Sequence, residues 1–176
     1  YIRFNLLYQY GGIWLDSDFV AFKSLAPVLE KIQQSGFVYT GYTQGDGKIF
    51  PLIAFLGSQK QHPIMKAIIE NMDDLLQQKV KNGLQPAWDE IGGYALQKLL
   101  TEKNSFCYET HFFAPLHVHD AQQKEMFYSI KLPKALRKLS FGQMLPYSVY
   151  AEFFNIMDKG ILEMKCYLSD ILNANI

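Results

Sequence analysis

Cysteine is scarce, long apolar runs are missing and neither sign of charge prevails; each shortage removes a class of protein. Only Cys107 and Cys166 occur among 176 residues, too few and too far apart in sequence for a disulfide framework or a zinc site. A reducing compartment fits that usage. No run of ~18 apolar residues marks a membrane span, and no signal peptide is visible. Lys+Arg and Asp+Glu both number 17, so the formal charge is zero. That balance argues against a nucleic-acid groove or polybasic membrane contact, both of which need excess positive charge. The one dense basic cluster, Lys131, Lys134, Arg137 and Lys138, has the spacing of a solvated helix face.

What the chain does have is apolar and aromatic mass. Hydrophobic residues make up 49% and aromatics 15%, enough for a sizeable core and against disorder. The length suits one domain. The chain begins at Tyr1 without a methionine and reads as a fragment entered in mid-helix.

Residues 1–10 read as the end of a helix, stopped by Gly11-Gly12, because glycine takes the left-handed conformation past a helix without strain. Ile13-Trp14-Leu15 reads as a short buried strand with Asp16-Ser17-Asp18 at its exit, and residues 19–22 lead away from it. Pro27 and Gly36 bracket a helix across 28–34; 37–42 and 49–56 read as strands around a polar turn at 44–48, with Pro51 confining the second to an edge or bend at its start. From Pro63 to about Val80, Ile64, Ile68, Met72 and Leu75 recur at helical steps, and Asn82-Gly83 ends the stripe. Residues 88–93 form a connection, 94–100 a helix and 106–113 a strand closed by Pro115; beyond Pro133 the pattern is helical, clearest at 149–157 and 161–172. Alternating strands and helices give an α/β or α+β class rather than all-α, with α/β the expectation, in one domain with a core over 1–115 and a helical region over 116–176.

Asp16 and Asp18 carry the chemistry. On an extended strand, residues two apart point the same way, and two carboxylates side by side repel unless a cation lies between them. Mg²⁺ or Mn²⁺ held by one or two carboxylates completes its shell with phosphate oxygens, and the carboxyl end of a strand is where α/β folds place ligands. A solvated turn is the plain alternative, since Asp-x-Asp alone is common. His117, His119 and Asp120 suggest a metal site, but no third ligand is evident and an exposed loop after Pro115 suits them better. Asp73-Asp74 reads as solvent-facing.

The string Arg3…Leu6-Leu7-Tyr8-Gln9-Tyr10-Gly11-Gly12-Ile13-Trp14-Leu15-Asp16-Ser17-Asp18 resembles the glycosyltransferases with a DXD-containing sugar-binding region, a group that includes initiating mannosyltransferases, α-1,4-galactosyltransferase-like proteins and clostridial glucosylating toxins. Their pattern is an arginine on a helix, a Tyr-Gly-Gly turn and an apolar strand ending in Asp-x-Asp. A looser likeness continues through Gly92-Gly93 to Phe112-Phe113 before Pro115. The resemblance implies a GT-A-like, Rossmann-like core whose N-terminal nucleotide-binding strands are missing here, and a metal-dependent transfer of a sugar from a UDP-hexose or GDP-mannose donor to a glycan or other hydroxyl acceptor, with retention. It implies that Asp18 binds Mn²⁺ or Mg²⁺ at the donor diphosphate and that Asp16 assists the metal and contacts the ribose or sugar. Arg3 would reach the donor sugar or phosphates; Gly92 and Gly93 before a helix would let a backbone approach the donor, or else form a plain connection. Family members carry an acid just before Arg3 and a later His and Ser-Trp that close over the donor; the chain starts too late for the first, and residues 128–132 lack the others.

Two rival classes remain. Residues 13–20 also fit the Asp-x-Asp of haloacid-dehalogenase phosphatases, where the first Asp is a nucleophile, but Phe19 replaces the usual glycine and the Tyr-Gly-Gly prelude has no role there. A polymerase-like nucleotidyltransferase needs a longer gap from glycine to acid. A catalytically inactive sugar- or nucleotide-binding module is the non-enzyme alternative. The expected setting is a bacterial surface-polysaccharide pathway, cytoplasmic or peripheral to the inner membrane with an acceptor that can be membrane-associated; in a eukaryote it would be the Golgi lumen. No nucleic-acid partner is expected.

Overall fold

The computed structural model describes residues 1–87, 89–101, 103–114 and 138–144. The chain divides into two compact units, one of Tyr1–Leu15 with Ala26–Glu109 and one of Asp16–Leu25 with Thr110–Ile176.

The first unit is a four-stranded mixed sheet flanked by helices, an α/β arrangement. Helix α1 (Ile2–Tyr10) ends at Gly11, whose φ of 69° is the left-handed stop expected of glycine. Strand β1 (Gly12–Leu15) follows at once. Helix α2 (Ala26–Ser35) leads through Gly36 into β3 (Phe37–Thr43), and β4 (Ile49–Ser58) returns antiparallel to it. Helix α3 (Pro63–Lys81) covers the sheet, the short helix α4 (Gly93–Gln97) follows, and β5 (Phe106–Glu109) closes the order β1-β4-β3-β5. Because β1 and β3 both run against β4, and β5 runs parallel to β3, three strands share one direction. Leu15 therefore ends at their common carboxyl edge, and the chain passes straight into Asp16.

The helical stripe of α3 is the keystone of this core. Ile64, Met65, Ile68 and Met72 are buried against Phe4 and Leu7 of α1, Phe37 and Tyr39 of β3, and Leu56 of β4. Each such side chain contributes ~1.5–3 kcal/mol relative to exposure. Leu75, expected on the same stripe, is half-buried. Imidazole Nδ1 of His62 accepts from the Ile64 amide at the start of α3, Pro63 occupies the first turn, and Asn82 and Gly83 end the helix.

The helices and strands expected at 1–10, 13–15, 28–34, 37–42, 49–56 and 63–80 all form, with ends within two residues of those positions. Among the described residues, Pro51 sits in the half of β4 that pairs with β3 alone, and the β3–β4 register shifts between Tyr39 and Thr40, so the strand has both the edge and the bend that proline needs. Three expectations change. Strand β5 stops at Glu109 rather than 113, because the amides of Phe113 and Ala114 turn back to the Thr110 carbonyl and wind residues Thr110–Phe112 into a 3₁₀ turn. Helix 94–100 shortens to α4. Strand β1 is half-buried rather than buried, since among the described residues it is an edge strand with β4 on one side only.

The second unit contains β2 (Phe19–Ala21), which pairs antiparallel with β6 (Gly142–Met144). Phe113 is its fully buried centre, with the rings of Phe19 and Phe141 at 6.1 and 5.4 Å. The Met144 amide donates to the Phe113 carbonyl and the Phe141 amide to that of Phe112. Gly142 lies directly against the Phe19 ring and the Val20 carbonyl, leaving no room for a side chain. Residues 128–132, 149–157 and 161–172, together with Lys131, Lys134, Arg137 and Cys166, lie outside the described residues.

Candidate functional site

The residues singled out by the sequence fall into two sets, one in each unit. Asp16, Ser17 and Asp18 belong to the second. The Phe19 amide donates to the Asp16 carbonyl at 3.2 Å, so residues 16–19 form a tight turn between β1 and β2. Strand alternation therefore does not orient the two acids: β1 has ended at Leu15, and a turn presents them instead. They remain close enough to interact. Burial, first, and then the charge of Asp16 raise the proton affinity of the Asp18 carboxyl, while its own backbone amide opposes them. Oδ1 of Asp18 is buried and has no hydrogen-bond partner.

A buried carboxylate oxygen without a donor is costly, and a neighbouring acid makes it costlier. A divalent cation relieves both, so the residues present fit Mg²⁺ or Mn²⁺. No cluster of three acidic, histidine or cysteine side chains occurs among the described residues. Such an ion at Asp16 and Asp18 would draw its remaining ligands from phosphate and water oxygens, its usual habit beside one or two carboxylates.

The second set lies in the first unit. Arg3, on α1, is half-buried: its Nη1 donates to the Ile53 carbonyl at 2.6 Å, and its guanidinium carbon lies 5.2 Å from the centre of the Trp14 ring. Ile53 falls in the part of β4 that the register skips, which leaves its carbonyl facing α1 rather than a strand. Arg3 is thus not a plain surface residue; the bulge in β4 and the ring on β1 hold it.

Gly92 and Gly93 join the same set through a residue the sequence reading passed over. Asp89 accepts a hydrogen bond from the Gly93 amide at 2.8 Å on Oδ1. A Cβ on Gly92 would land on that oxygen and come within 2.9 Å of Ile53 Cδ1; one on Gly93 would land on Oδ2 and come within 2.6 Å of Phe50 Cζ. The space these glycines leave is taken up by the Asp89 carboxylate. Burial raises the Asp89 proton affinity, and the Gly93 amide and then the charge of Arg3 lower it. The signal for it was an acid four residues before Gly93, in a segment read only as a connection. His117, His119 and Asp120 lie outside the described residues. Asp74 is exposed, as expected of it, whereas Asp73 is half-buried and raises the proton affinity of the Tyr1 hydroxyl.

Fold and side chains together define an α/β unit with an arginine anchored on its first helix, and an acidic turn that follows its first strand in the chain. Residues 1–82 match the family described as capsular polysaccharide synthesis protein. That stretch holds Arg3, the Tyr-Gly-Gly turn, Asp16 and Asp18, and the likeness points to a glycosyltransferase-related family and to polysaccharide biosynthesis. No curated protein and no solved structure matches the chain.

Proposed function

We propose that the protein is a metal-dependent glycosyltransferase that moves a hexose from a nucleotide-sugar donor to a glycan acceptor in surface-polysaccharide synthesis. The observation that carries this is the unpartnered, buried Oδ1 of Asp18 beside a second carboxylate. The family match over residues 1–82 supports the pathway, and the mixed sheet supports a GT-A-like core.

In this reading Asp18 and Asp16 hold Mg²⁺ or Mn²⁺. The cation, when bound, offsets negative charge on the leaving nucleoside diphosphate. Asp18 provides a buried oxygen that takes no hydrogen bond and is available to a positive ligand. Arg3 offers a planar donor fork suited to phosphate or sugar oxygens, already oriented by Ile53 and Trp14. Gly92 and Gly93 are buried, and the room they leave is filled by the Asp89 carboxylate rather than offered to the donor. The donor is a UDP-hexose or GDP-mannose, transfer proceeds with retention, and the acceptor can be membrane-associated, at the cytoplasmic face of the membrane. No helix among the described residues is long and apolar enough to cross a membrane.

The test is release of UDP or GDP from a panel of nucleotide sugars, with and without Mn²⁺, by wild type and Asp18→Asn. Metal-dependent release that the variant loses supports the reading. Release of inorganic phosphate from a phosphomonoester would instead favour a phosphatase, and a folded protein inert towards all donors would favour a binding module.

A further inference from the structure

Three aromatic rings meet near the carboxyl end of β3, within the first unit. Tyr42 of β3 stands opposite Phe50 of β4 with ring centres 5.5 Å apart, and the Tyr94 ring of α4 meets Phe50 edge-on at 4.8 Å. Phe50 is buried, whereas Tyr94 keeps 48% of its surface exposed and Ile49, next to Phe50, keeps 40%. One helical turn beyond Tyr94, on the same face of α4, Gln97 donates from Nε2 to Gln44 Oε1 at 3.0 Å and to the Ile49 carbonyl at 2.9 Å. The pairing leaves Gln44 Nε2 as a donor and Gln97 Oε1 as an acceptor, neither engaged among the described residues. The Asp46–Lys48 ion pair, at 3.2 Å, neutralises the turn that carries Gln44.

These parts suit one class of ligand. A pyranose has an apolar face of polarised C–H bonds, which the electron-rich face of an aromatic ring attracts. Around that face stand hydroxyls, each able both to give and to take a hydrogen bond. An exposed tyrosine beside an open donor and an open acceptor meets both needs without calling for charge on the ligand. A nucleobase also stacks on tyrosine. Reading its edge, however, takes an amide with donor and acceptor both free, and each glutamine here has spent one of the two on the other.

We propose that Tyr94, Gln44 and Gln97 form a saccharide subsite that holds a pyranose of the acceptor glycan. Tyr94 stacks on the sugar, Gln44 donates to one hydroxyl and Gln97 accepts from another, with Phe50 holding the Tyr94 ring in place. The subsite lies at the edge of the sheet where α/β folds place ligands. Its role towards an acceptor rests on the glycosyltransferase reading given above; the binding of a saccharide does not.

The experiment is NMR titration of the protein with the methyl α- and β-pyranosides of glucose, galactose and mannose, and with uridine and guanosine, read at the side-chain amides of Gln44 and Gln97. At least one pyranoside should shift both amides saturably. Tyr94→Phe should keep that affinity, and Tyr94→Leu, which still packs on Phe50 but has no ring face, should weaken it roughly tenfold. No shift with any pyranoside, shifts with the nucleosides alone, or wild-type affinity in folded Tyr94→Leu overturns the subsite. If Tyr94→Leu does not fold, Gln44→Ala in the surface turn carries the same expectation, read at Gln97. Release of UDP or GDP separates the two readings. Tyr94→Leu should keep metal-dependent release to water and lose transfer to the bound pyranoside; transfer at the wild-type rate overturns the acceptor role. A wild type that binds a pyranoside here yet releases nucleotide from no donor supports the saccharide site and overturns the transferase reading.

Discussion

The charge of Asp16 acts on the Asp18 carboxyl in the same direction as its burial, so both make Asp18 hold a proton more tightly than a free aspartate. The sign for stability follows. A carboxyl whose folded proton affinity is raised is favoured while protonated, and its cost grows as pH rises from the unfolded value of 3.8 through the raised folded one. Above that window the metal-free protein carries the whole cost.

Asp18→Asn should therefore stabilise the metal-free protein at neutral pH, with a melting temperature higher by about 1–3 °C. Added Mn²⁺ should raise the melting temperature of wild type and leave the variant unchanged. Thermal melts with and without Mn²⁺ check both, and a variant less stable than wild type in the absence of metal would contradict the unpartnered state of Asp18.

Arg3→Ala removes the donor to the Ile53 carbonyl and uncovers the Trp14 ring. The expected loss is about 1 kcal/mol in urea unfolding, because a half-buried carbonyl left without its partner is only partly rehydrated. Arg3→Lys should recover little, since an ammonium has no planar face to lay over the ring.

Gly93→Ala puts a methyl group onto the Asp89 carboxylate and against Phe50. Both neighbours are fixed, one by the Gly93 amide and the other by its packing against the Tyr94 ring at 4.8 Å. A destabilisation on the order of 1–3 kcal/mol is expected from overpacking of this kind, read as a lowered urea midpoint.

His62 gives the first unit an acid sensitivity. Its Nδ1 accepts from Ile64, its ring stacks on Phe37 at 6.1 Å, and burial pulls its proton affinity down. A histidine with a lowered folded value contributes stability that is full above its unfolded value of 6.5 and is lost as pH falls through the folded one. Stability should decline as pH is lowered below about 6.5, and His62→Asn, which keeps a capping oxygen without titrating there, should flatten that decline. Urea unfolding at a series of pH values reads it directly.

How much of this was legible in the sequence depends on whether a signal was local. Gly11, Gly36 and the paired Asn82-Gly83 stop their elements by backbone freedom, and the Ile64–Ile68–Met72 stripe names its own buried face; both are written in neighbouring residues. Asp16 and Asp18 stood out because an apolar strand led into them. A turn at Asp16–Asp18 stood as the plain alternative, and nothing in Asp-Ser-Asp alone chose between it and a strand end. Asp89 was not legible. Its place comes from its bond to Gly93 and from the charge of Arg3 acting on it, and Arg3 in turn is placed by the Ile53 carbonyl, in the stretch of β4 that the register with β3 skips. Strand β2 was missed because β6, its partner among the described residues, lies far along the chain.

The most direct test of the central claim is calorimetric titration of UDP-hexoses and GDP-mannose into wild type and Asp18→Asn, each with and without Mn²⁺. Binding of one donor class that requires Mn²⁺ and disappears in Asp18→Asn is the predicted result. Absence of nucleotide-sugar binding by folded wild-type protein in Mn²⁺, or equal binding by the variant, would contradict it.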